Sequence, residues 1–129
     1  MKKPLIPEAQ FDWLAKAWIG QLPAYVLSGI SDDDCAILRI GRQKLVVTTD
    51  FLNASPIALE HGLGNYEDLG YLLVGANLAD LAGTGAKPIG FLAGITLPKD
   101  SSEGQFRMLM KGVKRGLLDY GIPLVGGDT

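Results

Sequence analysis

The residues in this sequence with the types and spacing to do chemistry are carboxylates. Asp32, Asp33 and Asp34 stand together just before a short apolar run. Asp50 closes the run Leu45-Val46-Val47-Thr48-Thr49, and Asp128 follows Gly126-Gly127 behind another. Asp80 is the sole charge between Leu69 and Ala86. Three of these four places are ends of apolar segments, where a fold can bring sequence-distant groups together. Aspartates and threonines without nitrogen or sulfur ligands suit a hard cation, magnesium or calcium. Magnesium keeps several waters and is commonly shared with substrate phosphates. The pair Gly126-Gly127 would let a phosphate chain approach the backbone closely. The chemistry these residues point to is a magnesium–polyphosphate site built from dispersed aspartates.

Asp80 carries the most information. Leu78, Ala79, Leu81 and Ala82 surround it, and no Lys or Arg lies within a helical turn. Burying an unpaired carboxylate costs several kcal/mol or forces it to become neutral. A bound cation would remove that cost. So would a hydrogen bond to Asn77, to Thr84 or to a basic residue elsewhere, and the residues alone leave both readings open.

Other chemistries lack their parts. No G-x-x-x-x-G-K-[ST] loop occurs. Gly62-Leu63-Gly64 begins like a dinucleotide fingerprint, but Glu67 stands where the third glycine belongs. His61 is the single histidine and Cys35 the single cysteine. A Ser-His-Asp or Cys-His set would depend on His61 alone, and a disulfide within the chain or a cysteine-rich zinc site is excluded.

Composition sets the frame for these groups. A length of 129 residues suits one domain, and 47% apolar with 20% charged residues is enough for a packed core. The formal net charge of -2 gives no basic surface for nucleic acid. No apolar run follows the basic start Met1-Lys2-Lys3-Pro4, so no signal peptide is expected, and a cytoplasmic location is. The 18 residues from Leu69 to Ala86 are long enough to raise a membrane question, but Gly70, Asn77, Asp80, Gly83, Thr84 and Gly85 favour a helix buried in a globular domain.

The elements that must position the carboxylates follow from periodicity. Pro7 can open a helix in which Phe11, Leu14, Ala15 and Trp18 repeat, ending near Gly20–Pro23. Residues 24–34 read as irregular. Cys35–Ile40 and Lys44–Thr49 read as a hairpin about Gly41-Arg42. Asn53–Asn65 reads as a loop. Glu67 opens a long helix that Lys87-Pro88 breaks, and Ile89–Leu97 reads as a strand. Ser101 or Ser102 can cap a last helix with the core stripe Phe106, Leu109, Met110, Val113 and Leu117. Lys111, Lys114 and Arg115 fall on its solvated faces. Gly121 stops it, and Ile122–Val125 is a final strand. The expected fold is α/β (α+β): a mixed four-stranded sheet with helices on one face. A Gly-Gly-Asp-Thr turn after an apolar strand is an awkward natural end, so a second domain is expected beyond Thr129.

The order of these motifs resembles a known family. Asp33-Asp34-Cys35-Ala36-Ile37-Leu38 is followed by Val47-Thr48-Thr49-Asp50 and Asp68-Leu69-Gly70-Tyr71. Asn77-Leu78-Ala79-Asp80-Leu81-Ala82-x-x-Gly85-Ala86 comes next, then Leu124-Val125-Gly126-Gly127-Asp128-Thr129. The series is similar to thiamine-monophosphate kinase, of the superfamily of aminoimidazole ribonucleotide synthetase and selenophosphate synthetase. The resemblance implies that residues 1–129 are the first of two domains, binding ATP and magnesium and pairing as a homodimer. It implies metal ligands at Asp33, Thr48, Thr49, Asp50, Asp80 and Asp128, and a nucleotide-facing segment at Gly126, Gly127 and Asp128. The implied reaction passes the γ-phosphate of ATP to thiamine monophosphate, a small phosphate-bearing acceptor, with no nucleic acid or membrane partner. The implied acceptor site draws on both domains, so residues 1–129 alone are expected to be inactive.

Two departures bear on the acceptor and on the first motif. Ile57 stands where the kinase usually has a histidine of the acceptor side, within the altered loop Asn53–Ala58. Asp32 replaces the usual glycine before the paired aspartates. Two alternatives follow: a related ATP-dependent synthetase with another acceptor, or a nucleotide-binding dimerisation module without catalysis.

Overall fold

The structure is a computed structural model that describes residues 8–30, 32–51 and 57–128. Pro7, most of the Asn53–Ala58 loop and Thr129 lie outside the described residues, as do the side chains of Phe11 and Ile57. The chain forms two compact units, Met1–Thr48 and Thr49–Thr129.

The first unit holds α1 (Glu8–Ile19), β1 (Val26–Ser28), β2 (Ala36–Ile40) and β3 (Gln43–Val47). The expected hairpin is present: β2 and β3 pair antiparallel, with Ile37 opposite Val46 and Leu38 opposite Leu45. Gly41 makes the turn at a φ of 61°, a conformation that favours glycine. The stretch read as irregular contains β1, which adds to β2 antiparallel. A strand of three residues is too short to display alternation, so only a partner strand reveals it.

The second unit holds α2 (Ile57–Glu60), α3 (Tyr66–Thr84), β4 (Phe91–Gly94), α4 (Glu103–Tyr120) and β5 (Leu124–Asp128). Here the single four-stranded sheet is corrected. The described strands form two sheets, β1-β2-β3 and the parallel pair β4-β5. Apolar β-rich runs identify strands but not which of them pair. The crossover from β4 through α4 to β5 makes the pair parallel, as such connections require. Phe91 and Ala93 are buried, while Leu92 between them is 71% exposed. They join Val74, Val113, Leu117 and Ile122 in the core, so helices cover one face of this pair.

Both long helices are closed by their own sequences. Asn65 caps α3, accepting from the backbone N–H of Glu67 and Asp68, while Asp68 accepts from the N–H of Asn65. The helix stops at Thr84 because Gly85 takes a left-handed φ of 70°, two residues before the expected Lys87-Pro88 break. Ser102 caps α4 in a box with Gln105, and Gly121 ends it at a φ of 66°. From the expected stripe Leu109, Val113 and Leu117 are buried, each contributing roughly 1.5–3 kcal/mol.

The seam between α3 and α4 is closer than apolar side chains alone would allow. A Cβ on Gly112 would fall on the Glu67 carbonyl oxygen, and one on Gly70 on the Leu109 carbonyl oxygen. Two residues read as belonging to a solvated face also work across this seam. Lys111 Nζ lies 2.8 Å from Glu67 Oε2 and Arg115 Nη1 2.8 Å from Glu67 Oε1, with Arg115 stacked 4.7 Å above the Tyr71 ring. The Lys111 hydrogen bond, aided by the charge of Arg115, holds the Glu67 carboxyl below its ordinary value. These pairs became invisible to periodicity because their partners sit on another helix, 44 and 48 positions away in sequence.

Candidate functional site

Asp33, Thr48 and the hairpin belong to the first unit. Asp33 is exposed, and its Oδ1 accepts from the Cys35 N–H at 3.2 Å, which turns the chain into β2. Asp32, the residue in place of glycine, has local work of its own. Its Oδ2 accepts from the Gly29 N–H at 3.3 Å, and its Oδ1 lies 3.7 Å from Lys16 Nζ. The substitution thus ties the acidic loop to β1 and α1.

In the second unit, Asp50 is exposed and lies just beyond β3. Its backbone is docked on α3. Its N–H donates to Asn77 Oδ1 at 2.9 Å, and Asn77 Nδ2 donates to the Asp50 carbonyl at 3.4 Å and to the Leu73 carbonyl at 2.9 Å. Asp80 is half-buried and follows Asn77 by three residues on the same helix. Side chains three apart share a helix face, with Cβ atoms about 5–6 Å apart. Asp50 and Asp80 are therefore carried to one region of α3. Of the hydrogen-bonding residues considered for Asp80, Asn77 reaches across to Asp50, and the Thr84 hydroxyl donates to the Leu81 carbonyl at 2.8 Å.

Asp128 ends β5 opposite Gly94. This is the carboxyl end of a parallel pair, the place where open α/β sheets bind ligands. Gly127 has a φ of 156°, and a Cβ there would meet the Ala93 carbonyl oxygen. Its lack of a side chain is thus required by the neighbouring strand, whatever approaches from outside. Beside this strand end lies a half-open cavity of about 150 Å³. Phe51, Tyr66, Leu69, Leu73 and Leu109 line it with the segment 94–98. Phe51, one of its walls, follows Asp50 directly in the chain. Sequence reasoning missed this cavity because its walls come from four separate segments.

The donor types fit a hard cation: oxygen atoms of aspartate and threonine. Among the described residues, however, no three His, Cys, Asp or Glu side chains are placed together to hold a metal ion. Asp50, Asp80 and Asp128 of the second unit do not make a carboxylate cage by themselves.

The architecture and the spacing of these motifs define the class. Residues 32–129 match the family model AIR synthase related protein, N-terminal domain, and the chain belongs to that family. Its similarity within the family is to thiamine-monophosphate kinases. That of Methanocaldococcus jannaschii is 38% identical over 108 residues, covering 81% of this chain and 32% of the relative. A solved structure of AaThiL complexed with AMPPCP and TMP superposes with a TM-score of 0.73 at 27% identity, covering 94% of this chain and 36% of that one. A phosphoribosylformylglycinamidine cyclo-ligase of Pyrococcus furiosus is 31% identical over 94 residues, covering 73% of this chain and 28% of the relative. The chain thus spans about a third of the length of the relatives it matches. No described helix is long and apolar enough to cross a membrane.

Proposed function

We propose that this chain is the ATP- and magnesium-binding part of a phosphotransferase of the thiamine-monophosphate kinase type. The observation that carries the reading is the likeness over 94% of the chain to AaThiL, a protein complexed with AMPPCP and TMP. Asp33, Thr48, Thr49, Asp50, Asp80 and Asp128 would hold magnesium, with Gly126 and Gly127 alongside the nucleotide. The ion supplies charge neutralisation for the transferring phosphoryl group. The chain's own part is positioning: Asn77, on the α3 face that carries Asp80, holds the Asp50 backbone, and Asp128 ends the parallel strand pair.

A second reading keeps the ATP site and changes the acceptor. Ile57 in place of the acceptor-side histidine and the likeness to a cyclo-ligase favour it. Turnover of ATP against a panel of acceptors that includes thiamine monophosphate separates the two. The expected result is thiamine diphosphate formation only when the polypeptide carries a second domain, with none from residues 1–129. Product formed by residues 1–129 alone would sink the two-domain requirement. Turnover confined to other acceptors would move the protein to the synthetase reading.

We also propose a two-fold homodimer. The face of β4-β5 away from the helices exposes Leu92 and Val125, at 71% and 61%. An apolar sheet face with open edges calls for a cover, and a second copy supplies one symmetrically. Light scattering should give twice the chain mass, and Leu92→Glu should reduce it to the monomer. A monomer at high concentration of the unsubstituted protein overturns the pairing.

A further inference from the structure

Asn77 makes the connection that fixes Asp50, and its geometry is that of a two-point clamp. One amide plane accepts from the Asp50 N–H at 2.9 Å and donates to the Asp50 carbonyl at 3.4 Å. The same nitrogen donates back to the Leu73 carbonyl at 2.9 Å, which locks the amide to its own helix. Asp50 therefore meets α3 as though paired with a neighbouring strand. The Phe51 N–H then donates to Asp50 Oδ1 at 2.8 Å, which fixes the carboxylate's rotation on the anchored backbone. Without Asn77, Asp50 would sit on an exposed segment beyond the end of β3, and a cation would have to order that segment on binding.

We infer that Asn77 is a positioning residue for the divalent cation, holding Asp50 by its backbone one helical turn from Asp80. The inference rests on the proposed role of Asp50 and Asp80 as cation ligands. Asparagine is the residue this demands. Aspartate would lose the two donated bonds, and leucine would lose all three. Partners that orient a ligand from behind set metal affinity, and their loss costs about 10–100-fold in it.

The test uses Mn²⁺ as the probe, measured by electron paramagnetic resonance with ATP present, together with amide hydrogen exchange. In the unsubstituted protein the Asp50 amide should exchange slowly despite its exposure. In Asn77→Ala it should exchange freely while the amides of α4 keep their protection, and Mn²⁺ affinity should fall by about tenfold or more. Lost protection at Asp50 with Mn²⁺ affinity held within about twofold overturns the inference and leaves the proposed site standing, the clamp then being structural. Unchanged Mn²⁺ affinity in Asp50→Asn overturns both. Should Asn77→Ala fail to fold, the unsubstituted protein decides: free exchange at Asp50 overturns the clamp, and slow exchange that slows further with Mn²⁺ supports it.

Discussion

Gly112→Ala should cost about 2 kcal/mol and lower the melting temperature by roughly 5–10 °C. The added Cβ would land on the Glu67 carbonyl oxygen, within 2.7 Å of its carbon and 2.9 Å of the Tyr71 nitrogen. These neighbours are backbone atoms of α3 and cannot turn aside as a side-chain tip would. The helices must separate instead, and Val74, Val113 and Leu117 lose contact with one another in the core. Helix propensity works the other way, since alanine is favoured over glycine by about 1 kcal/mol. The balance goes to the clash because overpacking against rigid atoms lies at the upper end of its usual 1–3 kcal/mol range. Gly75→Ala on α3, the opposing helix, is the control. A Cβ there meets nothing within 4 Å, so the change should be neutral or stabilise by up to about 1 kcal/mol. Thermal unfolding of the two variants side by side checks this. Equal stability of Gly112→Ala and Gly75→Ala would mean the helices are not packed backbone to backbone.

That seam marks the border of what the sequence discloses. The helices themselves were legible because each carries its own signals: Ser102 with Gln105, the Leu109–Val113–Leu117 stripe, and Gly121 behind it. The hairpin was legible because Gly41 sits between two β-rich runs. Local signals end where an interaction needs a partner far along the chain. Nothing local marks Gly70 or Gly112 as a point of helix contact until the opposite backbone is known. Glu67 read as a failed dinucleotide motif, yet it anchors Lys111 and Arg115. Sheet membership failed for the same reason, since β1 and the β4-β5 pair are defined by partners rather than by composition. At the site, the sequence singled out Asp50 and Asp80 as carboxylates at telling places. It did not disclose that Asn77, three positions before Asp80, holds the Asp50 backbone on α3, because an amide within an apolar helix gives no sign of which backbone it will hold.

Stabilisation by nucleotide should require magnesium and should be lost with Asp80. Anions placed near one another raise each other's pKa and resist assembly, and a divalent cation reverses the sign of that interaction. The described residues supply no group of three acidic side chains for a metal ion. Magnesium commonly binds through one or two carboxylates and completes its octahedron with phosphate oxygens and water. On the proposed reading, magnesium alone and ATP alone should each shift the melting temperature little, and the two together strongly. At about a hundred times its dissociation constant, the complex adds roughly 2.7 kcal/mol, on the order of ten degrees for a chain of this size. EDTA should abolish the shift. Asp80→Asn should remove most of it while leaving the unliganded melting temperature nearly unchanged, because the amide matches the carboxylate in shape but not in charge. Differential scanning fluorimetry over a matrix of ATP, magnesium and EDTA reads all of these. A shift that persists through both EDTA and Asp80→Asn would return Asp80 to a structural role and remove the metal from the proposed function.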